Sequence, residues 1–156
     1  MNKIIYNSCY GGFGLSNKAV IEICRRKNIP IFFYKEKDED ILINWDDRTL
    51  VRITEEEALS SSDSIHKCSV DCGEFFTRKD PIYETFNKNY IWYPINSRHD
   101  PILIQVVEEL GPFANGEHAD LKIFKTESTL YRIDEYDGME YVITPEMDLE
   151  SYIKIE

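Results

Sequence analysis

The sequence predicts a single α/β domain over residues 1–156, with a mixed sheet that starts as a β-α-β unit and a second helix packed on that sheet. Two apolar runs, residues 4–6 and 31–34, flank a helix-like repeat, and a second amphipathic helix pattern covers residues 100–110. A length of 156 residues with 42% hydrophobic residues suits one core.

The first helix is predicted over residues 16–27. Ser16 offers a hydroxyl cap, and the following apolar positions recur at helical spacing: Ala19, Val20, Ile23 and Cys24. Pro30 ends the helix, because the residue before a proline is disfavoured in helical conformation. If the flanking strands pair directly, they are parallel with a right-handed crossover.

The middle of the chain contains shorter elements. Residues 41–45 and 49–54 are predicted to form a hairpin, and residues 55–67 a surface loop or a short helix. The stretch 55–89 is interpreted as an insertion or mobile surface segment within the domain. Residues 90–93 are either a strand or a segment packed along a sheet edge.

The second helix is the best marked element of the chain. Asp100 is the predicted N-cap, Pro101 occupies the first helical position and Gly111 ends the helix. A strand is predicted at residues 120–125 and a hairpin at residues 131–142, which turns at Asp137-Gly138. The acidic tail from Thr144 is predicted to be an edge or a loop.

The charge balance limits the classes of partner. The chain carries 29 acidic and 18 basic residues, a net charge of -11, which disfavours tight binding to nucleic-acid phosphates and favours charge mimicry over binding as a nucleic-acid role. Because neither a signal-peptide core nor a membrane span is visible, we expect a cytoplasmic protein without a membrane partner. Its four cysteines are therefore expected to be reduced.

The candidate site is a glycine-rich turn between the first strand and the first helix. Glycine lets a ligand approach the main chain closely, and a helix start supplies free N–H groups, so this turn is a candidate cradle for an anion. The alternative is a purely structural connection, since neither a P-loop nor a dinucleotide fingerprint is present. The candidate ligand-binding residues in the turn are Asn7, Cys9, Tyr10, Gly11, Gly12, Phe13, Gly14 and Ser16.

A second candidate segment, Arg98-His99-Asp100, begins the second helix. Arg98 suits a phosphate or carboxylate ligand, because a guanidinium binds such groups with two parallel hydrogen bonds. Asp100 is expected to cap the helix and to join the same site. We expect the two helix starts to lie together at the carboxyl edge of the sheet and to form one concave site.

Two residues are candidate catalytic groups, and whether the protein is an enzyme stays open. Cys9 lies where a helix start favours a thiolate, although the arginine that closes a phosphatase loop is missing. His99 is a candidate acid or base, or simply an exposed histidine.

The three residues His66, Cys68 and Cys72 resemble half of a metal site. Zinc motifs usually repeat a ligand pair, and this pair is not repeated. We therefore assign neither a metal nor a cofactor.

Three segments taken together resemble a family of small uncharacterised proteins encoded by tailed phages and large DNA viruses. They are NSCYGGFGLS at residues 7–16, RHDP at 98–101 with VVEELG at 106–111, and IDEYDG at 133–138. The resemblance implies a viral origin, and hence the cytoplasm of the host cell, but no particular activity.

Three hypotheses for function follow. The first is a small acidic viral accessory protein that binds an anionic ligand, phosphate-bearing or nucleotide-like, through the glycine turn and the Arg98 segment. The second is a small enzyme that uses Cys9 or His99. The third is an interaction module whose acidic surface meets a basic host protein. The oligomeric state is left open.

Overall fold

The computed structural model describes residues 1–40, 42–150 and 155. This part of the chain contains both helices and strands, which confirms the α/β class. It comprises two compact units: Met1–Ile23 with the described residues from Ile95 onward, and Cys24–Pro94. The segment 55–89 belongs to the second unit, and the single domain with an insertion there stays a prediction.

The strands, in chain order, are β1 Asn2–Asn7, β2 Phe32–Glu36, β3 Thr49–Ile53, β4 His66–Cys68, β5 Phe75–Thr77, β6 Leu121–Thr126, β7 Arg132–Tyr136 and β8 Met139–Ile143. The α-helices are α1 Asn17–Arg26, α2 Glu55–Ser60, α3 Ile82–Lys88, α4 Pro101–Leu110 and α5 Pro145–Glu150. Among the described residues, no helix has the length and apolar character needed to cross a membrane.

The first unit is built around β1, which pairs antiparallel with β6. Strands β7 and β8 form a hairpin, and both β8 and α4 contact β1. Ile4 and Ile5 of β1 are fully buried, as are Leu103 and Val106 of α4, so the apolar face of α4 covers the strand. The predicted helix at 100–110, the strand at 120–125 and the hairpin at 131–142 are confirmed.

The second unit is a four-stranded antiparallel sheet in the order β4-β2-β3-β5. Its core is a cluster of buried residues from the sheet, the following loops and α3: Tyr34, Leu50, Cys68, Cys72, Phe76 and Phe86. The Tyr34 hydroxyl donates to the Gly73 carbonyl oxygen at 3.0 Å and accepts from the Cys72 N–H at 2.9 Å. The buried phenol therefore has both hydrogen bonds satisfied.

The mixed sheet is replaced by antiparallel sheets, and the two strands of the predicted β-α-β start do not pair directly, so the condition for a parallel pair is not met. The order β1, α1, β2 occurs, and α1 begins and ends within one residue of the prediction, but β1 and β2 belong to different sheets. All named strand pairs within the described residues are antiparallel. Element order is visible in a sequence, whereas a strand's partner depends on distant residues, here β6 for β1.

The predicted strand at 41–45 is also wrong for its described residues. Leu42 is 94% exposed, and a short 3₁₀ helix occupies Trp45–Asp47. The Asp40 carboxylate accepts the Thr49 N–H at 2.7 Å and so closes this loop, while β2 itself extends to Glu36 and pairs with β3. Position 41 lies outside the described residues.

Three weaker predictions have mixed outcomes. The short helix within 55–67 is confirmed as α2, which starts with a capping box between Thr54 and Glu57. Tyr90 forms an isolated bridge with Cys68 of the edge strand β4, which confirms packing along an edge. The acidic tail was expected to be an edge or a loop, but residues 145–150 form α5; positions 151–154 and 156 lie outside the described residues.

The half metal site is divided between two environments. His66 faces Tyr90, with Nδ1 2.9 Å from the Tyr90 hydroxyl. Cys68 and Cys72 are buried in the core with their sulfurs 4.0 Å apart. Across the residues that the structure describes, no group of three or more His, Cys, Asp or Glu could hold a metal ion.

We expect His66 to make the second unit less stable in acid. Burial, aided by the Arg78 cation, lowers the pKa of His66 below its ordinary 6.5. As the pH falls below 6.5, the imidazole binds a proton more readily in the unfolded chain than in the folded one. The free energy of unfolding therefore falls as the pH falls. His66→Gln should flatten this decline between about pH 7.5 and pH 5.5 in urea titrations followed by tryptophan fluorescence.

His118→Gln is the matched control, because His118 is exposed. Both tryptophans, Trp45 and Trp92, lie in the second unit, so their fluorescence reports on it. An equal pH slope in His66→Gln and the unmodified protein would contradict the prediction.

Candidate functional site

Asn7, the last residue of β1, joins the glycine turn to two other loops. Its side chain is fully buried, and its Nδ2 donates to the carbonyl oxygens of Cys9 at 2.6 Å and Gly138 at 2.8 Å. Its Oδ1 accepts the Asp120 N–H at 2.8 Å. A single amide therefore connects the turn, the loop before β6 and the tip of the β7–β8 hairpin.

The glycines near this amide allow close contact between backbones. A Cβ on Gly11 would lie 1.7 Å from the His118 carbonyl oxygen, and one on Gly138 would lie 2.3 Å from the Tyr10 carbonyl oxygen. Gly12 differs: its φ of +89° requires glycine, but the space beside it is open. Packing of neighbouring turns therefore accounts for Gly11 and Gly138 without a ligand.

Both helix starts are satisfied by local caps. The Ser16 hydroxyl accepts the Ala19 N–H at 3.1 Å and donates to the Phe113 carbonyl oxygen at 2.6 Å. The Asp100 carboxylate accepts the Ile102 N–H at 2.9 Å. Ser16 and Asp100 therefore cap the two helices, as predicted. Ligand contact by either residue stays a prediction.

Arg98 lies against the glycine turn, as expected. Its guanidinium carbon is 3.5 Å from the centroid of the Phe13 ring. The guanidinium also donates two hydrogen bonds to Glu140 of β8, at 2.7 and 2.8 Å. Because Glu140 already occupies the fork that was expected to take an anion, Arg98 contributes here as a structural ion pair.

Among the described residues, the hydrogen-bond partners of the Cys9 sulfur are two oxygen acceptors. Sγ lies 3.1 Å from the His118 carbonyl oxygen and 3.4 Å from the Asn7 Oδ1, so the thiol donates to one or the other. His99 lies elsewhere, in a groove beside the start of β1, whereas Cys9 follows its end. The two candidate catalytic residues are not brought together, and a role in catalysis for either stays a prediction.

The groove beside His99 is the site that the sequence patterns missed. It has a volume of about 510 Å³ and is formed by the start of β1, the first turn of α4 and the loop after β6. The Asn2 side chain holds that loop through a 2.8 Å hydrogen bond to the Ser128 carbonyl oxygen. The polar residues that line the groove are Asn2, Lys3, His99, Gln105, Ser128, Thr129 and Tyr131.

His99 and Tyr131 form a pair on one wall of this groove. Nδ1 of His99 is 2.7 Å from the Tyr131 hydroxyl, and the two rings meet edge to face. Burial raises the pKa of Tyr131, an effect that the nearby Arg98 partly offsets. The phenol therefore stays protonated at neutral pH and keeps its capacity to donate.

The charge of the groove differs from that of the whole chain. Among the described residues that line it, none is an aspartate or a glutamate. Lys3 contributes a cation, which forms an ion pair with Glu108, and their side chains are 36% and 39% exposed. A partly exposed ion pair of this kind contributes little to the free energy of folding. The Lys3 ammonium can therefore turn from Glu108 toward a bound anion at a low cost in free energy.

No sequence signal identified this groove, because its walls come from segments about a hundred residues apart. Among the lining residues, the sequence predicts a functional role for His99 alone. The β1–β6 pairing, with Asn2 opposite Thr126, brings the loop 128–131 beside the first strand. Comparisons of the chain with protein-family models, curated proteins and solved structures found no match.

Gly12 and Gly138 provide a matched test of the packed turns. Their φ angles are +89° and +88°, so alanine is strained equally at both, by about 1–2 kcal/mol. Gly138→Ala adds a clash with the Tyr10 backbone and should lower the free energy of unfolding by about 2 kcal/mol more than Gly12→Ala. Urea unfolding followed by circular dichroism measures the difference, and equal losses would contradict the packing argument.

Glu140→Gln should destabilise the first unit by about 3 kcal/mol, because it leaves the Arg98 charge without its partner. Glu117→Gln is the control, since the Glu117 side chain is 88% exposed, and it should change stability by less than about 0.5 kcal/mol. Chemical unfolding of the two variants measures this, and similar stabilities would remove the ion pair from its structural role.

Cys9 should react first among the four thiols. It is partly exposed, whereas the other three are buried, and burial raises the pKa of Cys24. A maleimide reagent should label Cys9 in a fast phase that Cys9→Ser abolishes, as peptide mapping at short times would show. Labelling of Cys24 at an equal or higher rate would refute this order.

Proposed function

We propose that the protein binds a small molecule with an anionic group, phosphate or carboxylate, in the groove beside His99. The observation that carries this proposal is the charge of the lining. In a chain with 29 acidic residues, the described lining contains Lys3 and His99 and no carboxylate. The described lining thus lacks the carboxylates that are common on the rest of this acidic chain, and their absence favours an anion.

The size and the apolar surface of the groove define the ligand further. A volume of about 510 Å³ lies within the range of small-molecule sites. Its lining combines the apolar side chains of Ile4, Pro101 and Ile104 with the hydroxyls of Ser128, Thr129 and Tyr131. A ligand with an apolar body and one anionic end matches this combination, and a nucleotide-like compound belongs to that class.

In this proposal the glycine turn supports the site without contacting the ligand. Glu140 accepts hydrogen bonds from Asn7 and Arg98 and so holds the segment 98–100 in place. This contact fixes the position of His99 within that segment. A viral origin and a place in the host cytoplasm remain parts of the proposal that rest on the resemblance of the three segments.

Phenyl phosphate is a suitable first probe, with inorganic phosphate and phenol as its two halves. A fragment of this size should bind with a Kd on the order of 1 mM. Binding should shift the NMR resonances of the His99 ring and leave those of His66 and His118 in place. Phenol alone should bind more weakly than phenyl phosphate.

Lys3→Gln and His99→Gln should each weaken phenyl phosphate about tenfold, because each removes a charged or polar donor to the anion. Lys122→Gln and His118→Gln are matched controls, since both residues are exposed and neither lines the groove. If Lys3→Gln and Lys122→Gln weaken binding equally, the attraction of phenyl phosphate to the protein is non-specific. If the His99 resonance does not shift, phenyl phosphate does not bind in this groove.

A second candidate function is a protein-interaction module that meets a basic host protein. Three aromatic side chains of the first unit are strongly exposed: Tyr10 at 61%, Phe113 at 73% and Tyr136 at 71%. Exposed aromatic residues are common anchors of protein interfaces. A lysine-rich peptide should then shift resonances of these three residues and leave His99 unmoved, the reverse of the pattern expected for phenyl phosphate.

A further inference from the structure

The second unit has a groove of its own, with a volume of about 490 Å³. It is formed by the end of β2, the 3₁₀ segment at Trp45–Asp47 and the chain before β4. The residues that carry the following argument are Glu36, Asp38, Trp45, Asp63, Ser64 and His66. None of the hypotheses drawn from the sequence involves this groove.

Trp45 contributes an aromatic side chain to the lining, and the guanidinium groups of Arg78 and Arg48 both lie over its ring. Its side chain is 55% exposed, yet the guanidinium carbon of Arg78 lies only 3.6 Å from the ring centroid. Arg78 donates to Glu36 at 2.9 Å and to the Trp45 carbonyl oxygen at 3.1 Å. The ring therefore stacks on a guanidinium that hydrogen bonds to Glu36 and to the Trp45 carbonyl oxygen keep in position.

The burial of Arg78 shows how firmly this support is held. Its side chain is 6% exposed, and its Nε is buried without a hydrogen-bond partner among the described residues. An unsatisfied buried N–H is unfavourable, so the stack on Trp45 and the bonds to Glu36 outweigh that cost. An exposed indole ring in a fixed position can stack a planar ligand without losing much side-chain freedom.

The charges of the groove balance. Glu36 forms ion pairs with Arg48 at 3.2 Å and with Arg78, so its charge is compensated from outside the lining. The remaining charged residues of the lining are two lysines and two aspartates: Lys35, Lys37, Asp38 and Asp63. Burial lowers the pKa of His66, which keeps the imidazole neutral at pH 7. The lining therefore favours an uncharged ligand with several polar groups.

We propose that this groove binds a nucleoside, whose base stacks on Trp45 and whose ribose hydroxyls donate to Asp38 or Asp63. Carboxylates are the usual acceptors for ribose hydroxyls in nucleotide sites. Stacking on an aromatic side chain tolerates any base, because every base has a π face. The Ser64 hydroxyl supplies a further donor and acceptor in the lining.

Adenosine titrated against tryptophan fluorescence tests the proposal. The chain has two tryptophans, so Trp92→Leu leaves Trp45 as the reporter and Trp45→Leu leaves Trp92. Trp92 is the matched control, because it is 75% exposed and contacts Tyr90 instead of this groove. Adenosine should quench the unmodified protein and Trp92→Leu, and the quenching should disappear in Trp45→Leu.

Calorimetry then gives the affinities. Trp45→Leu should weaken adenosine about tenfold, and Trp92→Leu less than about twofold. The analogue 2′,3′-dideoxyadenosine should bind at least about fivefold more weakly than adenosine, since it cannot donate to the aspartates. No binding of adenosine, or equal affinity in Trp45→Leu, would overturn the site.

Two further outcomes overturn parts of the assignment. Equal binding of the dideoxy analogue would reject the contact between ribose and the aspartates, and tighter binding of adenosine monophosphate than of adenosine would reject a preference for an uncharged ligand. The test is independent of the anion site, because tryptophan fluorescence reports on the second unit and the His99 resonance on the first.

Discussion

The ion pair between Arg98 and Glu140 is the contact around which the first unit is arranged. Glu140 is 7% exposed, and its carboxylate accepts the Asn7 N–H at 2.8 Å as well as both guanidinium bonds. A buried pair is favourable only when the remaining hydrogen-bonding capacity is also satisfied, and these contacts meet that condition. The end of β1, the start of α4 and the strand β8 are thereby held together, and the glycine turn is closed over them by Phe13.

The three consecutive residues of the segment 98–100 consequently have three different roles. Arg98 forms the ion pair with Glu140, Asp100 caps α4, and His99 lines the groove with Tyr131. The same local sequence therefore supports the fold and contributes to the proposed site. The glycine turn has a comparable structural role at Gly11, because the His118 backbone occupies the space where a side chain would project. Glycines and helix starts look the same in a sequence whether a ligand or a backbone packs against them, so a ligand cradle at this turn stays a prediction.

The two grooves show how an acidic chain can present different electrostatic environments. In the first unit the described lining lacks carboxylates, and in the second unit two lysines accompany two aspartates after Glu36 is compensated. Net charge describes the whole surface and says little about a concave site. Lys3 and Trp45 illustrate this limit: neither belongs to a motif, and each lines a groove only through the packing of other segments around it.

The sequence by itself determined the local elements. The repeat of apolar residues, Asp100 with Pro101 as a helix start and Asp137-Gly138 as a turn were sufficient to locate α1, α4 and the β7–β8 hairpin, because these signals act between residues close in the chain. Tertiary structure alone decided which strands pair and which charges meet. Asn7 and Glu140 are 133 residues apart, and Arg98 and Glu140 are 42 apart. No local pattern encodes such contacts, since they form only when packing brings separate segments together, and both grooves depend on packing of this kind.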